Sequence, residues 1–299
     1  MGVKAVYSVC ECRVDYRLLA GERLMKKVSI VGLGWLGMPL ALALNGLGYQ
    51  VTGSKTTQDG VEAARMSGIE CYQLVLTPEL ACEAEALRTL LQVDVLIVTL
   101  PASRTAEGGE GYTQAVQQLV NMARVFHVPR IIFTSSTSVY GDDSGVVKEN
   151  SPLRPTTSAG KTLASLEQWL QNLPDTSVDV LRLAGLVGGE RHPGRFLAGK
   201  TNLPHGNHGV NLVHQEDVLS AILLLLKRPS GGHVYNLCAP RHPARQDFYP
   251  EQARRLNLVP PQFAPLTDHR EGRIVDGQRI CHELGFEYQY PDPDMMLLN

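Results

Sequence analysis

Residues 28–37 read Val-Ser-Ile-Val-Gly-Leu-Gly-Trp-Leu-Gly. The spacing Gly32-x-Gly34-x-x-Gly37 suits one kind of chemistry, the close approach of a dinucleotide pyrophosphate to a backbone turn. Gly32 permits the tight turn, Gly34 has no Cβ to hold the phosphates off, and Gly37 lets a helix pack against a strand. With Leu33, Trp35 and Leu36 they form the whole turn, whose free N–H groups and helix dipole favour anions. An NAD site usually carries an acidic residue about 20 residues beyond such glycines, bonded to the ribose 2′-OH. Here that place reads Gly53-Ser54-Lys55-Thr56-Thr57. Ser54 and Lys55 would meet the adenosine ribose, with Lys55 as a point charge for a 2′-phosphate. The expected cofactor is NADP, with NAD as the alternative if Lys55 projects into water. Asp59, the nearest acid, is expected to cap the next helix.

Further along, Arg191, His192 and Arg195 share a Gly-rich loop, and two readings stay open: a grip on an anionic substrate, or a solvated loop. His214 precedes Gln215-Glu216-Asp217 at a helix start, as a substrate-side group or a structural histidine. Asp142 and Asp143 read as a turn. The sequence carries no metal constellation, no Ser-His-Asp elbow and no phosphate-binding lysine motif.

These residues need strands and helices to position them. Val28 to Val31 reads as a buried strand and Met38 to Leu44 as a helix, with Pro39 in its first turn, where a missing N–H costs nothing. Strands are then expected at 49–53, 70–74, 93–100, 130–134 and 178–183. Helices are expected at 60–66, 78–91, 112–126 and 163–173. Strands alternating with helices argue for an α/β fold, a Rossmann-type doubly wound parallel sheet. Beyond residue 186 the pattern loosens, with a short strand at 210–212, a helix at 215–226, a strand at 233–237 and helices near 249–256 and 277–284. The expected organisation is a cofactor domain over 25–186 with 211–238. A small C-terminal lobe, 187–210 with 239–299, would lie beside the carboxyl ends of the strands.

Composition bounds the rest. The chain has 299 residues, 43% hydrophobic and 19% charged, with a net charge of −2. That suits a globular protein with a substantial core and gives no electrostatic footprint for nucleic acid. No apolar run reaches membrane-spanning length. The six cysteines are scattered. Only Cys10-x-Cys12 is close-set, without the second pair a zinc site needs. Met25-Lys26-Lys27 and the apolar stretch after it imitate a signal peptide, but the same residues build the glycine turn, so a cytoplasmic protein is expected. Residues 1–24 precede a natural-looking start at Met25. They read as a mis-set start or a loosely held extension, against an added element packed on the domain. The expected partner is a small molecule. A homodimer is compatible with this fold but not required.

From Ile131 onward the chain resembles the extended branch of the short-chain dehydrogenase/reductase superfamily, UDP-galactose 4-epimerase and its relatives. The likeness rests on Phe133-Thr-Ser-Ser-Thr-Ser-Val-Tyr-Gly141, Leu181-Arg-Leu-Ala-Gly-Leu-Val-Gly188, Asn211-Leu-Val-His-Gln-Glu-Asp-Val218, Val234-Tyr-Asn236 and Glu283-Leu-Gly-Phe286. With the glycine turn these cover most of residues 25–290. The resemblance implies a Tyr-x-x-x-Lys pair, the tyrosine as general acid/base, with Ser136 orienting the substrate oxygen. It implies Leu100 and Pro101, and Thr134 and Ser135, on the nicotinamide side.

The pair itself is missing. The expected segment aligns with Thr157-Ser-Ala-Gly-Lys-Thr-Leu163 followed by Glu167, which puts Ala159 at the tyrosine position and Leu163 at the lysine position. A second register, Thr157-x-x-x-Lys161, keeps the four-residue step but loses the Gly-Lys and Glu matches. Tyr140 and Lys161 are the candidate substitutes. The sequence therefore supports an oxidoreductase or epimerase with a rearranged acid/base set, acting on a small polar or nucleotide-linked substrate. The alternative is a catalytically silent module that senses NADP and acts through a protein partner.

Overall fold

The computed structural model describes residues 26–76, 80–102, 108–142, 144–265 and 272–296. The extension 1–24, the Cys10-x-Cys12 pair, Pro78 and Asp143 lie outside the described residues. The central sheet is built from β1 (Lys27–Val31), β2 (Gln50–Lys55), β3 (Glu70–Gln73), β4 (Val95–Val98) and β5 (Arg130–Ser136), with β7 (Ser177–Leu183) and β10 (Val234–Leu237). These seven strands are parallel, in the order β10-β7-β5-β4-β1-β2-β3. Chain order reverses between β1 and β4, the crevice where open α/β sheets bind ligands. The strands read as near-continuous apolar runs because helices cover both faces of the sheet: all four residues of β4 are buried, as are the last four of β1.

The helices are α1 (Gly37–Gly46), α2 (Gln58–Met66), α3 (Ala84–Leu91), α4 (Gly108–Val125), α5 (Ser158–Gln171) and α6 (Gln215–Leu226), followed by α7 (Arg245–Arg255) and α8 (Arg279–Leu284). In α6 the buried Val218, Ala221, Ile222 and Leu225 recur at three- and four-residue steps, the stripe of a helix packed on a sheet. The cap of α2 is Thr57, whose hydroxyl accepts from the Gly60 N–H. Asp59 lies inside the first turn and is not the cap expected from the sequence. α3 begins at Ala84, later than expected.

Three-residue strands outside the main sheet lock the C-terminal part in place. β6 (Gly145–Val147) pairs with β11 (Arg273–Val275), and β8 (Gly185–Val187) pairs with β9 (Leu212–His214). Asn211 ties them together, donating to the Arg273 carbonyl at 2.9 Å and accepting from the Val275 N–H at 2.8 Å. A second, smaller apolar cluster, with Val187, Val210, Leu212, Phe248 and Met296, lies beside the main core.

Buried ionisable groups have hydrogen-bond partners. Arg130 reaches Asp179 at 2.8 and 2.6 Å, joining β5 to β7. The fully buried Asp217 accepts from the Gln289 and Tyr290 amides at 2.7 and 3.2 Å, docking the C-terminal segment on α6. Burial pushes the Asp217 carboxyl up to about 6, against the pull of those two amides. The unfolded chain ionises this group near its ordinary 3.8, so between those values the folded state alone holds the proton. Stability then falls as pH rises through that window, by on the order of 3 kcal/mol in all. Urea titrations of Asp217→Asn should lose this slope between about pH 4 and pH 6. A wild-type slope in the variant would assign the effect to another group.

Candidate functional site

The turn after β1 has the geometry of a phosphate cradle. Gly32 adopts φ +105°, and its carbonyl accepts from the Gly34 amide and the Thr99 hydroxyl, each at 2.7 Å. A Cβ on Gly37 would stand 2.2 Å from that same carbonyl, so no other residue fits there. A Cβ on Gly34 would meet only the Gly32 carbonyl, at 4.0 Å: the space above it is open. The Leu33 amide donates to Ser54, and its buried side chain fills the place of a Cβ on Gly53. Whereas Thr57 and Thr157 cap α2 and α5, no side chain caps α1. The Met38 amide donates to the Gly34 carbonyl at 3.0 Å and Pro39 has no N–H, so the amides of Trp35, Leu36 and Gly37 are the ones this turn would offer to an anion. The residues present therefore fit a dinucleotide.

Two connected hollows meet at this turn, sharing Gly32, Gly34, Leu100 and Pro101. The first, about 380 Å³, is lined by Ser54, Lys55 and Thr56 with apolar walls from Val75, Leu76 and Tyr112. It suits an adenosine, with Lys55 half-buried at the end of β2. The second, about 350 Å³, is lined by Trp35, Leu36, Thr99, Leu100, Pro101, Thr134, Ser135, Ser136, Ser138, Ala159, Leu163 and Arg191, among others. Thr134 donates to the Val98 carbonyl at 3.0 Å and Ser135 to Glu167, so both hydroxyls hold the wall rather than face a ligand. Ser136 accepts from the Ser138 N–H at 3.2 Å, which starts a 3₁₀ turn over Thr137–Tyr140.

Ala159 and Leu163 both line this second hollow, one turn apart on α5. The structure thus agrees with the register that puts alanine and leucine where the tyrosine and lysine would stand. Among its described lining residues there is no carboxylate, imidazole, phenol, thiol or amine.

The candidate substitutes lie elsewhere. Tyr140 is 1% exposed; its hydroxyl donates to Asn236 at 2.7 Å and accepts from Arg182 at 2.8 Å. Burial pushes its phenol up, against the pull of Arg182. Lys161 is exposed and lines a shallow hollow between α4 and α5, with Thr113, Ser158 and Ser165. Neither meets Ser136 in the cleft. His214 is buried, caps α6 by accepting from the Glu216 N–H at 3.3 Å, and stacks on Tyr290 at 3.8 Å. The structure thus uses its imidazole as a helix cap. Of the basic loop, Arg191 lines the cleft, while Arg195 is exposed on a short turn packed against α7. With Arg255, it adds to burial in pushing the His192 imidazole down.

Sequence reasoning missed the buried polar floor. Arg182 donates to Glu167 at 2.9 and 2.7 Å and to the Tyr140 hydroxyl, and the Asn236 side chain passes the chain on to the Asp276 carbonyl. Burial opposes the Arg182 charge, but Glu167 more than compensates and the guanidinium is held above its usual range. The available signal was an arginine inside the apolar run Val180-Leu-Arg-Leu183, which demands a buried partner. Among the described residues, no group of three or more His, Cys, Asp or Glu could hold a metal ion.

Comparison with known proteins agrees with this geometry. The profile of the NAD dependent epimerase/dehydratase family matches residues 28–238. The chain is 65% identical over 274 residues to Protein YeeZ of Escherichia coli (strain K12), spanning 92% of this chain and 100% of that protein. A functionally unknown conserved protein from Silicibacter pomeroyi DSS superposes with a TM-score of 0.71 at 27% identity, over 90% of this chain and 95% of that one. A short-chain dehydrogenase/reductase superfamily protein from Agrobacterium tumefaciens with bound NAD shares the fold, with a TM-score of 0.71 at 20% identity, over 90% and 94% of the two chains. So does the Thermus thermophilus UDP-glucose 4-epimerase in complex with NAD, with a TM-score of 0.72 at 15% identity, over 89% and 95%.

The placement of Tyr140 makes a direct prediction. Tyr140→Phe should cost about 1–3 kcal/mol of stability, because Asn236 loses its donor inside the core. Cofactor affinity should stay within about twofold, since less than ~0.4 kcal/mol should reach the cleft. Denaturant unfolding and calorimetry on the same variant test this. Unchanged stability with lost cofactor affinity would return Tyr140 to the site.

Proposed function

The chain belongs to the NAD dependent epimerase/dehydratase family, and from that premise we propose that it binds NADP across the β1/β4 crevice without the family's usual proton relay. The observation that carries this reading is Ala159 and Leu163 facing the nicotinamide end of the cleft. A positioned acid/base is worth about 10²–10⁴-fold in rate, and neither side chain supplies one. The bound nicotinamide would bring hydride chemistry. The chain's own residues would do less: the turn amides hold the phosphates, Leu100 and Pro101 wall the cleft, and Ser136 offers a hydroxyl. This favours a module that binds the cofactor and reports its presence.

A preference for NADP is supported at the other end. Among the described residues no carboxylate lines the adenosine hollow; Lys55 and Thr56 do, beside the capped start of α2. The thiols of Cys71, Cys82, Cys238 and Cys281 are free, which fits a reducing, cytoplasmic setting. No helix among the described residues is long and apolar enough to cross a membrane.

A second reading, an oxidoreductase or epimerase on a small polar or nucleotide-linked substrate, is favoured by Ser136 and Arg191 in the cleft wall. It needs a proton from the substrate or from water.

Calorimetric titration with NADP and NAD tests the cofactor reading. NADP should bind tighter, and Lys55→Ala should erase roughly ten- to hundredfold of its affinity while sparing NAD. Equal loss for both, or no binding of either, would overturn it. Absorbance of NADPH with a panel of carbonyl substrates then separates the two readings. A flat trace supports the silent module, and steady oxidation supports the enzyme.

A further inference from the structure

We propose that Arg191 is a clamp on the dinucleotide's bridging pyrophosphate and that Trp35 is the platform that aims it; this rests on the cofactor reading above. The guanidinium carbon of Arg191 lies 4.6 Å from the centroid of the Trp35 ring. Trp35 follows Gly34, the residue whose missing Cβ leaves the phosphate space open, and both line the same hollow as Arg191. A cation over an indole face is held by the ring quadrupole, and the planar fork of a guanidinium matches the geometry of phosphate oxygens.

The loop that carries Arg191 is built to hold it there. Gly188 and Arg191 exchange backbone hydrogen bonds at 3.3 and 3.0 Å, closing a tight turn. Gly188 and Gly189 within it adopt φ +118° and +51°. Gln215 packs beside Gly188 and Gly189 and donates its side-chain amide to the Trp35 carbonyl at 2.6 Å, while a Cβ on Gly189 would come within 3.9 Å of the indole nitrogen. Residues more than 150 apart in sequence thus meet over one turn. The glycine turn and a forked cation line one hollow, a combination that suits a pyrophosphate. The assignment moves Arg191 from the substrate to the cofactor and gives Trp35 a function in the glycine fingerprint.

The same chemistry would serve a substrate phosphate, so the test separates the sources. NADP and 2′-AMP, which keeps the adenosine and 2′-phosphate but lacks the pyrophosphate, are titrated onto wild type and Arg191→Ala. NADP affinity should fall roughly ten- to hundredfold and 2′-AMP affinity should not change. Trp35→Leu should weaken NADP in the same direction. Arg191→Lys, which keeps the charge and loses the fork, should fall between, and stands in if the alanine variant does not fold. Unchanged NADP affinity in Arg191→Ala overturns the proposal, as does an equal loss for both ligands. Inorganic phosphate binding to the NADP-loaded protein that disappears in Arg191→Ala, with NADP affinity intact, would assign the arginine to a substrate anion instead. Wild type that fails to bind NADP removes the cofactor reading and the clamp together, whereas wild-type NADP binding that Arg191→Ala leaves intact removes the clamp alone.

Discussion

The ion pair between Glu167 and Arg182 sets what the rest of the cleft can do. Both groups are nearly fully buried, and two buried charges are tolerable only if each stays paired and hydrogen-bonded. Arg182 meets Glu167 through two N–H groups, and Ser135 occupies the other carboxylate oxygen. Glu167 stands four and eight residues beyond Leu163 and Ala159, on one stripe of α5. The helix cannot rotate without unpairing the charge beneath it, so positions 159 and 163 look into the cleft whatever residues occupy them. Ala159 and Leu163 are accordingly part of the cleft lining.

The cleft that results is chemically lopsided. At its adenosine end stand a lysine, two hydroxyl residues and an apolar slot. At its middle lie glycine amides and an arginine, and at its far end hydroxyls are set among alanine and leucine. Recognition chemistry is concentrated where a cofactor would be held, and proton-moving chemistry is thin where a substrate would react. Tyr140 shows why chain proximity misleads. It lies four residues from Ser136, but the 3₁₀ turn between them carries its ring down into the core, toward Arg182 and Asn236.

Much of this was legible in the sequence because it depends on local signals. The glycine spacing, the apolar strand runs and the α6 stripe each follow from residues within a dozen positions of one another. The β6–β11 and β8–β9 pairs were not legible, since three-residue strands have no usable period and their partners come from distant parts of the chain. Caps went the same way. Asp59 is the expected cap, and the backbone puts Thr57 there instead. The placements of Lys161 and Arg195 depended on which face of a helix or loop turns inward, which is settled by long-range pairing such as Glu167 with Arg182.

Asn236 belongs to the edge strand β10, yet it completes the floor of the cleft, 96 residues after the tyrosine it holds. Its backbone amide also satisfies Glu149, and its side chain reaches Asp276. A chain emerging from the ribosome N-terminus first therefore exposes Tyr140 and Glu149 well before Asn236, their last partner, exists. The first five strands can pair, but the polar layer beneath the nicotinamide end stays open to water until the final third of the protein has been made. A half-synthesised chain can thus hold the glycine turn without the finished floor of the cleft.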